Sequence, residues 1–272
     1  MAQRKQFQSG SLAVNGTDFH YEAAGEGDFV ILIHAGIADL RMWDEQFDEF
    51  ASHYRVIRYD RRGFGKTPMV AGEFSHHEDL FGVLTALGVS RAHLVGCSQG
   101  GKTAIDFTLA HPEMTSALVL VASALSGFDF QGEEPAQFAA IEEAAARGDV
   151  DAVNELELQI WVDGPGQPPN RVEPKIRELV RAMNKIALSA PEIGVERPLD
   201  PPAAERLSEI RAPAFVITGD LDTPHALAAA DHLSTRAAKR AVMVGTAHLP
   251  NMERPAEFNA LVLGFLSSIT AG

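Results

Sequence analysis

The residues best suited to do chemistry lie in Gly96-Cys97-Ser98-Gln99-Gly100, a G-x-S-x-G pattern. Glycines on either side permit a tight strand-to-helix turn that lifts a serine hydroxyl clear of a sheet. The pattern is short enough to arise by chance, so its weight comes from its surroundings. A strand-like run, His93-Leu94-Val95-Gly96, precedes the serine, and a helical pattern from Gly101 to Ala110 follows it.

A serine hydroxyl is a poor nucleophile near neutral pH and needs a neighbouring base. Of the ten histidines, His248 stands apart by position, in Gly245-Thr246-Ala247-His248-Leu249-Pro250 after the last strand-like run. That loop opens at the same sheet edge as Ser98. The base needs an acid to hold its tautomer and stabilise the imidazolium. Gly219-Asp220-Leu221-Asp222-Thr223-Pro224 offers two carboxylates just after the preceding strand. Asp222, further into the loop, is the candidate partner. Asp220, nearer the strand end, fits the shaping of the turn before a helix that starts at Pro224.

Acyl transfer also needs donors for a developing oxyanion. The backbone N–H of Gln99 is one candidate, and that of Gly36, in His34-Ala35-Gly36-Ile37, is the other. His34 reads as a residue that orders this loop, and Cys97 as core packing on the far side of the turn.

These residues require a scaffold, and the periodicity supplies one. Gly10 to Glu22 alternates apolar and polar residues around Asn15-Gly16, a hairpin signal. Short Val- and Ile-rich runs follow at Phe29 to Ile33, Tyr54 to Tyr59, His93 to Gly96, Ala117 to Val121, Ala214 to Thr218 and Arg240 to Val244. Such runs suit strands buried on both faces. Helical patterns lie between them at Trp43 to Ala51, His76 to Leu87, Gly101 to Ala110, His225 to Leu233 and Ala256 to Ile269. Alternating strands and helices imply right-handed crossovers and a mostly parallel sheet with the hairpin at one edge.

From Ser126 to about Leu207 the rhythm changes to helical stretches (Glu134 to Arg147, Val150 to Trp161, Val172 to Ser189) punctuated by prolines, with no strand expected. A helical insertion between two strands reads as a lid over the strands' carboxyl ends, where open α/β sheets bind ligands. Trp161, Phe128, Phe130 and Met183 are candidates to line an apolar pocket there, although such residues at helical spacing are more often plain core.

The formal net charge is -14, and a strongly acidic surface disfavours nucleic acid and anionic lipid as partners. Roughly nine of those negative charges fall between Ser126 and Glu205, which reads as a solvated helical face. Cys97 is the sole cysteine, so an intramolecular disulfide and a thiolate metal cluster are both excluded. Neither metal-ligand spacing nor a phosphate-binding glycine loop occurs, and no cofactor is implied. The first residues lead into no apolar run, and no stretch approaches ~20 consecutive apolar residues. A cytoplasmic protein acting on a small acyl molecule is expected. Oligomeric state has no signature in the sequence.

With these pieces in order, the chain resembles the α/β-hydrolase superfamily over nearly its whole length. The resemblance rests on His34-Ala35-Gly36, Asp60-Arg61-Arg62-Gly63-Phe64-Gly65-Lys66-Thr67, Gly96 to Gly100, Gly219 to Asp222 and Ala247-His248. It implies a mostly parallel eight-stranded sheet flanked by helices, with a helical lid inserted after the sixth strand. Residues 1–125 and 208–272 would form the core and 126–207 the lid. Ser98, then Asp222, then His248 is the chain order that architecture expects.

The chain departs from the family pattern in places. Thr67 replaces a common serine, and His34-Ala35 replaces a common His-Gly, with the glycine one place later. Leu249 follows the histidine where many carbon–carbon bond hydrolases of the family carry tryptophan, which tilts the reading away from meta-cleavage-product hydrolysis. Ser98 argues against haloalkane dehalogenases and epoxide hydrolases, which use a carboxylate nucleophile. The segment His248 to Pro255 resembles the 3-oxoadipate enol-lactonase and esterase-like branch. The expected function is therefore hydrolysis of a small carboxylic ester or lactone through an acyl-enzyme. Carbon–carbon hydrolysis or perhydrolysis by the same triad, and a slow or non-catalytic small-molecule receptor, are the alternatives.

Overall fold

The computed structural model describes residues 7–191, 193–237 and 239–270. Strand β1 (Gln8–Val14) turns into β2 (Thr17–Ala24) through Asn15 and Gly16, at φ 46° and 79°. Two consecutive positive φ values give the turn whose twist matches paired strands, and Asn-Gly is the dipeptide that tolerates them. The apolar runs become β3 (Phe29–Ile33), β4 (Arg55–Tyr59), β6 (Ala92–Cys97), β7 (Thr115–Val121), β9 (Ala214–Gly219) and β10 (Lys239–Met243).

These eight strands form one sheet in the order β1-β2-β4-β3-β6-β7-β9-β10. Pairing is antiparallel where β2 meets β1 and β4, and parallel elsewhere. The sheet has a core on each face. Along β3, Val30 and Leu32 join one cluster with Trp43, Phe50 and Phe258, while Ile31 and Ile33 join the other with Leu80, Ile105 and Phe107. Each such side chain is fully buried, which is worth about 1.5–3 kcal/mol apiece.

The flanking helices follow the sequence reading closely. They are α1 (Asp44–Phe50), α2 (His76–Ala86), α3 (Gln99–Ala110), α8 (Pro224–Ser234), the short α9 (Pro250–Glu253) and α10 (Pro255–Thr270). Between β7 and β9 lie α4 (Gln137–Ala146), α5 (Val150–Leu158), a π-helical turn (Gln159–Asp163), α6 (Pro174–Leu188) and α7 (Ala203–Arg206). Leu158, Val162, Val180 and Met183 of this insertion join the first core cluster. Its acidic excess is partly matched inside: Arg177 bonds Asp163 and Glu155, and Arg181 also bonds Glu155.

One expectation needs correction. The insertion does contain a strand, β8 (Gly194–Glu196), paired in parallel with β5 (Gly72–Phe74), which lies before α2. Three residues leave no alternation to detect, and the partner is more than a hundred positions away.

Candidate active site

Ser98 sits between β6 and α3 with φ 53° and ψ −117°, a sparsely populated conformation that costs about 1–3 kcal/mol. The surroundings hold it there. Its N–H donates to the Val121 carbonyl at 2.9 Å, and its own carbonyl accepts from Ala124 N–H at 3.1 Å. The flanking glycines are required by space: a Cβ on Gly96 would lie 2.4 Å from the Gly100 carbonyl oxygen, and one on Gly100 2.2 Å from that of Ile33. The elbow therefore brings α3 against β3 at backbone contact distance.

His248 follows β10, and Asp222 follows β9. The carboxylate of Asp222 lies 2.8 and 3.0 Å from His248 Nδ1, and both residues are buried. With Nδ1–H donating to the carboxylate, Nε2 of the neutral ring is left as an acceptor. Asp222 also accepts the Thr223 N–H at 2.7 Å. Asp220 takes a different part: it accepts the Gly245 N–H and so shapes the turn after β10, not the one before α8. The cap of α8 is Thr223, whose side chain accepts from Ala226 N–H.

The His248 loop is tied down from two sides. Glu253 accepts the Ala247 N–H at 2.8 Å and pairs with Arg171, which also donates to the carbonyls of Gly245, Val162 and Asp163. From the sheet side, Cys97 Sγ lies 3.7 Å from the His248 carbonyl oxygen. Cys97 is fully buried, and burial pushes its thiol well up, so it packs and does not ionise.

His34 orders the loop after β3, as expected. Its Nδ1 bonds the Ala35 carbonyl at 2.7 Å and its Nε2 accepts the Arg61 N–H at 2.8 Å. Burial, reinforced by the Arg61 charge, holds this histidine well below its ordinary range. Gly36 in the same loop lies against Gln99: a Cβ on it would come within 3.1 Å of Gln99 Cγ. Gln99 opens α3, so its N–H is among those with no acceptor inside the helix.

Ser98, His248, Gly36 and Gln99 line one cavity of about 310 Å³, with Asp222 behind His248. Of the insertion's candidate pocket residues, Trp161 lines this cavity, its ring 4.5 Å from that of His248. Phe128 and Phe130 instead pack on His225, and Met183 is core. Glu157, Ser123, Thr223 and His225 line the cavity too and were missed by sequence reasoning. Glu157 stands four residues before Trp161 and shares its helix face, the one signal that could have found it. Burial raises its carboxyl from the ordinary range, against a hydrogen bond from Asn184 that lowers it. Among the described residues no three His, Cys, Asp or Glu side chains converge as metal ligands do, and no helix is long and apolar enough to cross a membrane.

A profile of the alpha/beta hydrolase family matches residues 30–261. The chain belongs to this family. Among its curated relatives, a 2-hydroxy-6-oxononadienedioate/2-hydroxy-6-oxononatrienedioate hydrolase of Burkholderia vietnamiensis is 28% identical over 94% of both chains. A 2-hydroxy-6-oxo-6-phenylhexa-2,4-dienoate hydrolase of Comamonas testosteroni is 36% identical, but over only 38% of each chain. Among solved structures, Est816, described as an N-acyl homoserine lactone degrading enzyme, superposes with a TM-score of 0.76 at 28% identity, over 94% of this chain and 99% of its own. The enol-lactonase of Burkholderia xenovorans LB400 gives 0.75 at 25% identity over the same shares. This alpha/beta hydrolase is thus an enzyme, and the mostly parallel eight-stranded sheet expected from its sequence is the fold of its relatives.

Proposed function

We propose that this chain is a serine hydrolase that cleaves a small carboxylic ester or lactone through an acyl-enzyme. The observation that carries the reading is the buried Asp222–His248 pair on the wall of the cavity that holds Ser98 at a strained turn. Ser98 Oγ attacks the substrate carbonyl while His248 Nε2 takes its proton. Asp222 holds the ring and stabilises the imidazolium. The backbone N–H groups of Gly36 and Gln99 receive the oxyanion, a contact of this type being worth about 3 kcal/mol. His248 then protonates the leaving oxygen, and water activated by His248 releases the acid and restores Ser98. In this reading the described residues within 1–125 and 208–272 form the core, and those within 126–207 the lid, with Trp161 roofing the site. The lactone-degrading structural relatives support the substrate class.

A second reading keeps the triad and cleaves a carbon–carbon bond. The curated relatives, named as 2-hydroxy-6-oxo-dienoate hydrolases, favour it. Leu249 after the histidine, in place of tryptophan, speaks for the first. The test is turnover of short p-nitrophenyl esters, an enol-lactone and a vinylogous diketone by wild type and Ser98→Ala. Ester and lactone turnover should dominate and fall about 10⁴-fold or more in the variant. Undiminished turnover in Ser98→Ala ends the serine mechanism, and preference for the diketone selects the second reading.

A further inference from the structure

One carboxylate on the cavity wall has no part in acyl transfer. Glu157, on α5, lines the cavity and is half-buried. Its Oε2 accepts a hydrogen bond from Asn184 Nδ2 at 2.6 Å, and Asn184 is steadied by Asn154 Oδ1 at 3.0 Å. Both amides are buried, so the carboxylate is aimed by a fixed frame. Among the described residues no cation pairs with Glu157, and its Oε1 makes no hydrogen bond. The contrast with Glu155, two positions earlier and bound by Arg177 and Arg181, is direct.

The rest of the cavity does not offset this charge. No Lys or Arg lines it. Its histidines each have a carboxylate of their own: His248 faces Asp222, and His225 Nδ1 lies 3.0 Å from Glu134 Oε1. A charge taken partly out of water without a partner is costly, and a ligand N–H or O–H at Oε1 would relieve that cost. A second carboxylate in the same small space would add to it.

We infer that Glu157 sets the substrate class: the cavity takes uncharged esters or lactones carrying an N–H or O–H donor for Oε1, and discriminates against acyl groups that end in a carboxylate. This rests on the acyl-hydrolase reading above. The chemistry is recognition only, with Glu157 acting as acceptor and no bond to it made or broken.

The test uses two acyl chains of matched shape, p-nitrophenyl adipamate and p-nitrophenyl hydrogen adipate. Wild type should favour the carboxamide by about 100-fold in kcat/KM. Glu157→Gln should shrink that ratio by about tenfold or more, and Glu157→Asp should keep most of it. A purely structural role would slow both substrates alike and leave the ratio unmoved in Glu157→Gln, which overturns the inference. Equal turnover of the two esters by wild type overturns it as well, while leaving the acyl-hydrolase reading intact. Calorimetric binding of both esters to Ser98→Ala reads the same selectivity without turnover. Selective binding there with no wild-type hydrolysis of either ester would sink the acyl-hydrolase reading and spare the selectivity.

Discussion

Asp222 and His34 show how single side chains are fixed before any substrate arrives. Asp222 offers both oxygens to His248 Nδ1 and spends one on the Thr223 N–H as well, so the imidazole has one orientation available. Asp222→Asn should therefore lower kcat by about 10⁴-fold through the wrong tautomer. The unfolding temperature would show whether the loss is one of chemistry; a fall of less than tenfold would remove Asp222 from the mechanism. His34 makes a prediction about pH. Its ring is held neutral in the folded chain, while the unfolded chain protonates it below about pH 6.5. The stability it contributes is present above that value and lost as pH falls. From about pH 7.5 to about pH 5.5, wild type should lose more stability than His34→Gln in urea titrations, by on the order of 1 kcal/mol. Equal losses would mean that the ring is not held neutral. At this scale, sequence reading picked Ser98, Asp222 and His248 from strand order, and the structure pairs His248 with Asp222 and sets it on the cavity that Ser98 lines. It missed Glu157 because a carboxylate on an acidic helix is indistinguishable, by pattern, from one facing water.

Arg171 links two elements that the sequence treats separately. It pairs with Glu253 near the His248 loop and donates to the carbonyls of Val162 and Asp163 in the π-helical turn that carries Trp161. Both charges are mostly buried, so Arg171→Ala strands Glu253 and should cost about 3 kcal/mol in denaturant titrations. It should also lower kcat, because the same change frees the Ala247–His248 backbone and the ring above it. Wild-type stability in the variant would show that the pair does not staple the insertion to the sheet. Strands and long helices were legible because their periods differ, and the hairpin because Asn-Gly permits one turn type. The π-helical turn was not legible: Gln159 to Asp163 carries no proline or glycine to mark a departure from the α-helix that precedes it. Nor was the β5–β8 pairing, which joins two three-residue strands more than a hundred positions apart, with Arg197 beside it on Glu73.

Over the whole molecule, the net charge of -14 surrounds a cavity that itself contains an unpaired carboxylate. Both fields oppose an anionic substrate, but salt screens only the long-range one. Raising ionic strength from about 0.02 M to about 0.3 M should speed kcat/KM for the anionic adipate ester by about two- to fivefold and leave the carboxamide unchanged. Stopped-flow or initial-rate measurements across that range decide it, and identical salt responses would assign all discrimination to the cavity wall.

Seven of the eight strands in the large sheet run in one direction, with β2 alone reversed, and that geometry separates the molecule into two ends. The turns bearing Gly36, Ser98, Asp222 and His248 all leave from one rim. The opposite rim carries the connections that lead into these strands, such as the exposed Gly88, Ser90 and Arg91 ahead of β6 and Arg211 ahead of β9. A spacer, a fluorescent reporter or an immobilising anchor grafted at Ser90 or Arg211 would thus hang from the handle of the molecule, with its working end free.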